Sequence, residues 1–159
     1  PLPTLFPSTT RFRSSTYAPN DTLTWAAALK LLLVSHGDLK AADATGADWS
    51  KNTIAKAAEL GLVAADLDGA KAISRLEFCQ VAAKLNKLAE SKTESKFTDC
   101  TDGYVMALVD AKVISGMTET TFEPAASLTR AQIAKIIYQL NLIEKYGEAQ
   151  YNEIGRAHV

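Results

Sequence analysis

The sequence predicts a mainly α-helical protein in which tandem helix–loop–helix repeats pack as a pseudo-threefold bundle. Three observations support this fold class. A capped helix occurs three times, each copy carries apolar residues at helical spacing, and no stretch shows the sustained alternation of a β-strand. Because a repeat unit buries its apolar face against its neighbours, three copies indicate one compact helical domain.

The most complete capped helix follows Pro124. Thr129 is a favourable N-cap, and Gln132 three residues later completes a capping box. Arg130 is unusual, because a cation in the first turn faces the positive end of the helix dipole. It is either a solvated side chain or, with the free N–H groups of the first turn, part of an anion site. The helix is expected to end near Leu142, with an apolar face made of Ile133, Ala134, Ile136, Ile137 and Leu140.

The other two copies repeat this plan with changes. In the middle copy Ser74 and Glu77 form a capping box, and Arg75 repeats the first-turn cation. In the first copy Trp25 stands where the third copy has Arg130. Capping and core packing need no arginine at these positions, so its presence in two of three copies favours binding over a purely structural role.

The remaining elements follow from apolar spacing and stop signals. The first helix is expected to end at His36, before Gly37. Gly116 is expected either to adopt a positive φ or to give backbone room to approach a ligand. A helix is predicted over about 52–60, ended by Gly61, with an inward face made of Ile54, Ala57, Ala58 and Leu60. The middle capped helix is predicted to run to about Leu88, and a further helix to cover about 103–111.

Composition and motif content exclude several classes of function. A net charge of −1 gives no basic footprint for nucleic acid, and no apolar run is long enough to span a membrane. Outside the last seven residues His36 is the single histidine, and no nucleophile has a base at motif spacing. We therefore expect no catalysis and no cofactor. Cys79 is expected to be buried, Cys100 has no metal-ligand spacing to it, and a bond between the two stays open.

A calcium loop is the rival interpretation of the middle copy. Asp66, Asp68, Ile73 and Glu77 match positions 1, 3, 8 and 12 of an EF-hand, but Lys71 stands where that loop needs glycine. Glu77 is also the partner of the Ser74 cap. We therefore expect no metal site.

Both ends resemble translated sequencing adapters. Residues 1–16 are interpreted as an adapter-like or disordered head, and residues 143–159 as a linker and adapter-like tail. The chain is then expected to be an interior fragment, from which the signal peptide and an effector domain are missing.

Four short motifs together resemble the S-layer homology domain. They are Phe97-Thr98-Asp99, Val113-Ile114-Ser115-Gly116, Phe122-Glu123-Pro124 and Leu128-Thr129-Arg130-Ala131-Gln132. The resemblance implies a partial first unit over 17–36, a degenerate second unit over 45–88 and a complete third unit over 97–142. Gln132 replaces the usual glutamate of the family, and the loop of the second unit is shortened and acidic.

The resemblance also implies a function. Grooves between such units bind secondary cell wall polymers of bacteria or peptidoglycan-linked polysaccharide, often through a pyruvylated amino sugar. They thereby anchor secreted surface and S-layer proteins non-covalently to the wall. The resemblance implies that the family's arginine corresponds to Arg130 and Arg75 and its loop glycine to Gly116. Thr129 is also included in the predicted site. Of the two grooves, the one that contains Arg130 is favoured. Trp25 either stacks on a sugar face or fills the core. The alternatives are a structural repeat without a ligand and the anchor of a larger secreted enzyme.

Overall fold

The structure is a computed structural model that describes the backbone of residues 20–157 and the side chains of residues 20–143. No β-strand forms within residues 20–157, so the predicted mainly α-helical fold class is confirmed. The helices of this part of the chain are α1 (Trp25–His36), α2 (Trp49–Glu59), α3 (Arg75–Leu85), α4 (Gly103–Asp110) and α5 (Arg130–Ala157).

The segments that precede α1, α3 and α5 pair with one another in a closed ring. In each pair the N-cap of one helix lies opposite the residue two positions before the N-cap of the next, which gives the ring approximate threefold symmetry. The central residues Leu23, Ile73 and Leu128 are buried. The ring consists of the antiparallel bridges Thr22 to Thr129, Thr24 to Ala72 and Ser74 to Ser127.

The ring also uses the first backbone donor of α1, α3 and α5. The N–H of Arg75 donates to Ala126 O at 2.7 Å, and the equivalent N–H of Arg130 donates to Asp21 O at 3.1 Å. Trp25 N–H likewise donates to Lys71 O, at 2.8 Å. The first backbone N–H group of a helix has no hydrogen-bond partner within that helix, and here the neighbouring repeat supplies the carbonyl that accepts from it.

Both predicted capping boxes are confirmed. Ser74 Oγ accepts from Glu77 N–H at 3.1 Å while Glu77 Oε1 accepts from Ser74 N–H at 3.1 Å. Thr129 and Gln132 make the same exchange at 3.3 Å and 2.9 Å. These bonds explain why the chain enters these two helices in the same way.

The apolar faces of the helices meet in one core, with two exceptions to the predicted set. Leu60 is 39% exposed because it is the C-cap of α2 and lies beyond the helix face that packs. Ala134 is also exposed. Thr53 is buried instead, and its hydroxyl donates to Trp49 O at 2.7 Å, so no polar group is left unpaired there.

Three helix boundaries differ from those predicted. α2 begins at Trp49 rather than Asn52, and α3 ends at Leu85 rather than Leu88 because Lys87 has a φ of 57°. α5 runs on to Ala157 instead of ending near Leu142, since most residues of the 143–157 segment are good helix formers. The predicted end of α1 is confirmed, with Gly37 at a φ of 94°.

Candidate functional site

A groove lies between the start of α3, the loop 113–117 and one face of α5. We call it the Arg75 groove. Its volume is about 510 Å³, which falls within the range of small-molecule binding sites. Its lining residues are Arg75, Lys96, Val109, Lys112, Val113, Ile114, Ser115, Gly116, Met117, Gln132, Lys135, Ile136 and Gln139.

Arg75 is a buried cation without an anionic partner. Its side chain is 8% exposed, and no carboxylate of residues 20–143 lies within salt-bridge distance of it. Nη2 donates to Ser115 O at 2.8 Å, and the guanidinium carbon lies 4.6 Å from the centroid of the Phe122 ring. Nε has no hydrogen-bond partner. The guanidinium is therefore held in one orientation while its charge stays uncompensated.

Asp99 positions the ring on which that guanidinium rests. Its two carboxylate oxygens accept from Phe122 N–H at 2.8 Å and Glu123 N–H at 2.9 Å. These two N–H groups hold the pKa of Asp99 below its ordinary value of 3.8. Phe122 in turn packs against Phe97 with ring centroids 5.6 Å apart. No local pattern predicts this role of Asp99, because its partners lie more than twenty residues away in the sequence.

Lysines surround the rest of the groove. Lys96, Lys112 and Lys135 line it, and no aspartate or glutamate does so among the residues that the structure describes. Lys96 Nζ lies 5.3 Å from the centroid of the Phe97 ring. The sequence alone does not predict this cluster of lysines. Its members come from three separate segments, so no local motif signals it.

Gly116 does not adopt the positive φ that was one of its two predicted roles, and the structure gives it a steric role. The space beside it is filled by the protein's own chain. A Cβ at this position would lie 2.3 Å from Thr118 O and 2.5 Å from Phe97 Cε1. The glycine lets the loop fold tightly against Phe97 and so shapes the wall of the Arg75 groove.

Arg130 and Thr129 lie apart from the Arg75 groove. Arg130 is half-buried, and its Nε has no hydrogen-bond partner. The prediction that free first-turn N–H groups share in an anion site is wrong for Arg130 and Gln132, whose N–H groups donate to Asp21 O and Thr129 Oγ1.

Trp25 lies in the core. It is 9% exposed, and the residue that follows it, Ala26, is hydrogen-bonded to the loop that precedes α3. Ala26 N–H donates to Gly69 O at 3.0 Å, and a Cβ on Gly69 would lie 3.0 Å from Ala26 Cβ. Of the two roles predicted for Trp25, filling the core is the one that this burial favours.

Glu77 and the two cysteines, the other residues considered as possible ligands, have structural roles. Glu77 accepts the Ser74 N–H in its capping box, and among residues 20–143 no three histidine, cysteine or acidic side chains gather as metal ligands. Cys79 and Cys100 are both buried and unbonded to each other. Burial raises the pKa of Cys79 to about 12, which keeps it protonated.

One comparison with known proteins matches a family to part of the chain. Residues 98–134 match the S-layer homology domain, whereas no curated protein matches the chain. The predicted resemblance is thus confirmed for the segment that contains Asp99, Gly116, Phe122 and Arg130. S-layer homology domains are non-catalytic modules that anchor proteins to the cell wall, so the match implies a protein of the cell surface. Within the part that the structure describes, no helix has the length and apolar character to cross a membrane.

Proposed function

We propose that this chain anchors its protein non-covalently to the bacterial cell wall by binding an anionic secondary cell wall polysaccharide in the Arg75 groove. The observation that carries the proposal is the buried Arg75 guanidinium, which has no carboxylate partner within residues 20–143. The S-layer homology match over residues 98–134 supplies the general role of cell-wall anchoring.

The energetics of Arg75 favour an anionic ligand. A buried charge is costly unless it is paired, and an anion that enters the groove would provide the missing pair. Because Ser115 O and the Phe122 ring already orient the guanidinium, little side-chain entropy would be lost on binding. A carboxylate suits this planar fork of donors, and a pyruvate ketal on an amino sugar carries such a carboxylate.

The walls of the groove suit a sugar. Val113 and Ile136 are buried apolar residues, whereas Gln132 and Ser115 supply polar groups beside them. A site of this kind, with apolar walls and a few placed polar groups, fixes the orientation of its ligand. The apolar side chains would contact the C–H faces of a sugar ring and the polar groups would contact its hydroxyls.

The test is co-sedimentation with purified Gram-positive cell walls. Walls that carry a pyruvylated polymer are compared with walls from which the ketal has been removed by mild acid. The chains are the parent, Arg75→Gln, Arg130→Gln as a matched first-turn arginine, and Lys51→Gln as an exposed charge control. Loss of one charge-assisted contact of about 1.5–3 kcal/mol weakens binding by about 10- to 160-fold.

We expect that loss for Arg75→Gln on pyruvylated walls, and parental binding for Lys51→Gln. Arg75→Lys should recover little, because an ammonium keeps the charge but lacks the planar fork. Parental binding by a folded Arg75→Gln chain would overturn the proposal. A loss for Arg130→Gln alone would assign the site to the groove that the sequence favoured. The circular dichroism of each variant establishes that it is folded.

We further propose that the chain divides as its resemblance implies, with units over 17–36, 45–88 and 97–142. In this division the Trp25 repeat serves only as scaffold, because its tryptophan is buried and the facing loop is closed against it. The expected stoichiometry in residues 20–143 is then one ligand at the Arg75 groove. Any effector domain or enzyme anchored in this way would lie elsewhere in the protein.

A further inference from the structure

We infer that the Arg75 groove recognises a polysaccharide segment with at least two anionic groups, one held by Arg75 and a second held by Lys96 and Lys135. The inference rests on the proposed function and adds the charge that its ligand must carry. It follows from the composition of the groove lining rather than from the arginine alone.

The groove concentrates positive charge in a chain that is nearly neutral. The whole sequence has a net charge of −1, yet four cations and no carboxylate line this groove within the described residues. A ligand with one carboxylate would neutralise Arg75 and leave the charges of Lys96 and Lys135 facing it. Lys96 and Lys135 are exposed and form no ion pair with residues 20–143, so their charges remain available to a ligand.

Lys96 and Lys135 line the same groove as Arg75, so a ligand that fills the groove would contact both sides of it. The Debye length is about 8 Å at physiological ionic strength, so salt only partly screens charges that lie within that distance of one bound ligand. A second negative group on the neighbouring sugar would therefore interact with the lysine side while the first sits at Arg75.

Arg75 and the lysines would select different properties. The buried guanidinium has a fixed fork and selects a planar carboxylate in one orientation. Lys96 and Lys135 carry compact charges on flexible stems, so they select negative charge with little demand on its geometry. The second group is thus an anion on the polymer, either another carboxylate or a phosphodiester.

The experiment measures binding to pyruvylated cell walls across a series of NaCl concentrations. The double variant Lys96→Gln/Lys135→Gln is compared with the parent and with Lys40→Gln/Lys51→Gln, which removes two exposed lysines far from the groove in sequence. At low salt we expect the groove variant to bind about tenfold more weakly than the parent. We also expect a shallower dependence on salt, so that the two curves converge as NaCl rises. The control should follow the parent.

Equal salt dependence in parent and Lys96→Gln/Lys135→Gln would overturn the inference. If Arg75→Gln still abolished binding in that case, the proposed function would stand with a ligand of one charge. If Arg75→Gln also bound normally, the proposed function would fail as well. Walls treated with mild acid separate the two sources of the second anion. A lysine-dependent difference that survives removal of the ketals identifies phosphate, whereas its disappearance identifies a second ketal carboxylate.

Discussion

Replacing Gly116 by alanine tests how the wall of the Arg75 groove is built. The added Cβ would lie 2.3 Å from Thr118 O, 2.6 Å from Thr121 O and 2.5 Å from Phe97 Cε1. The shortest of these is 0.7 Å below the 3.0 Å under which Cβ contacts are essentially never found. Two of the three atoms are backbone oxygens, so rotation of a neighbouring side chain cannot relieve the contact.

Relief of that contact requires the turn to open. Met117 N–H and Thr118 N–H both donate to Thr121 O, at 2.9 Å and 3.2 Å, and these hydrogen bonds would lengthen as the turn moved. Insertion of a carbon into a packed site typically lowers stability by about 1–3 kcal/mol, and the net contribution of one hydrogen bond to stability is about 1 kcal/mol. We therefore expect Gly116→Ala to lower the free energy of unfolding by about 2–3 kcal/mol.

The measurement is urea unfolding followed by circular dichroism, with Gly61→Ala as the control. Gly61 has a φ of 74°, and a Cβ added to it would meet no atom within 4 Å, so its substitution costs only left-handed backbone strain of about 1 kcal/mol. Gly116→Ala should lower the urea midpoint further than Gly61→Ala at an unchanged slope. A midpoint for Gly116→Ala at or above that of Gly61→Ala would refute the steric explanation.

Two further predictions concern titratable groups. The Phe122 and Glu123 N–H groups lower the pKa of Asp99, so the stability they confer is present above its ordinary value of 3.8 and is lost as pH falls through the lower folded value. Urea midpoints of Asp99→Asn should therefore fall less than those of the parent over this acid range, and parallel curves would contradict the assignment. Cys79 is buried with its pKa raised to about 12, so a thiol reagent at pH 8 should label it only as fast as the protein opens. Mass spectrometry of timed samples measures this, and labelling at the rate of a free cysteine would show that the site is accessible.

The sequence was sufficient to predict the local features of the fold. Both capping boxes, the glycine at the end of α1 and most of the apolar faces depend on residues within one or two turns of each other. The ends of helices were less predictable. α3 ends early because Lys87 has a positive φ, and a lysine in the sequence does not signal that conformation. The prediction that Leu60 lies in the core was wrong, because helical spacing of apolar residues does not show where the packed part of a helix ends.

The site was only partly predictable, for a related reason. Arg75 stood out as a cation in a first turn, but its contacts with Ser115 and Phe122 span forty or more residues. The Lys96 and Lys135 cluster is assembled by the fold from separate segments. The sequence favoured Arg130 because its own repeat is complete. An intact motif does not reveal whether the neighbouring repeat supplies the other wall of the groove.

The ring of bridges explains how the repeats can lose binding residues and keep their fold. It is built largely from backbone groups: Arg75 N–H and Trp25 N–H donate to equivalent carbonyls although their side chains differ completely. The ring therefore constrains the cap and the central apolar residue of each segment but not the first-turn side chain. The backbone ring does not require an arginine at that position, so a buried cation without a carboxylate partner within residues 20–143 at Arg75 supports the proposed binding role. The same backbone bonds occupy the first donor of α1, α3 and α5, so in the proposed site the guanidinium, rather than the helix terminus, binds the anion.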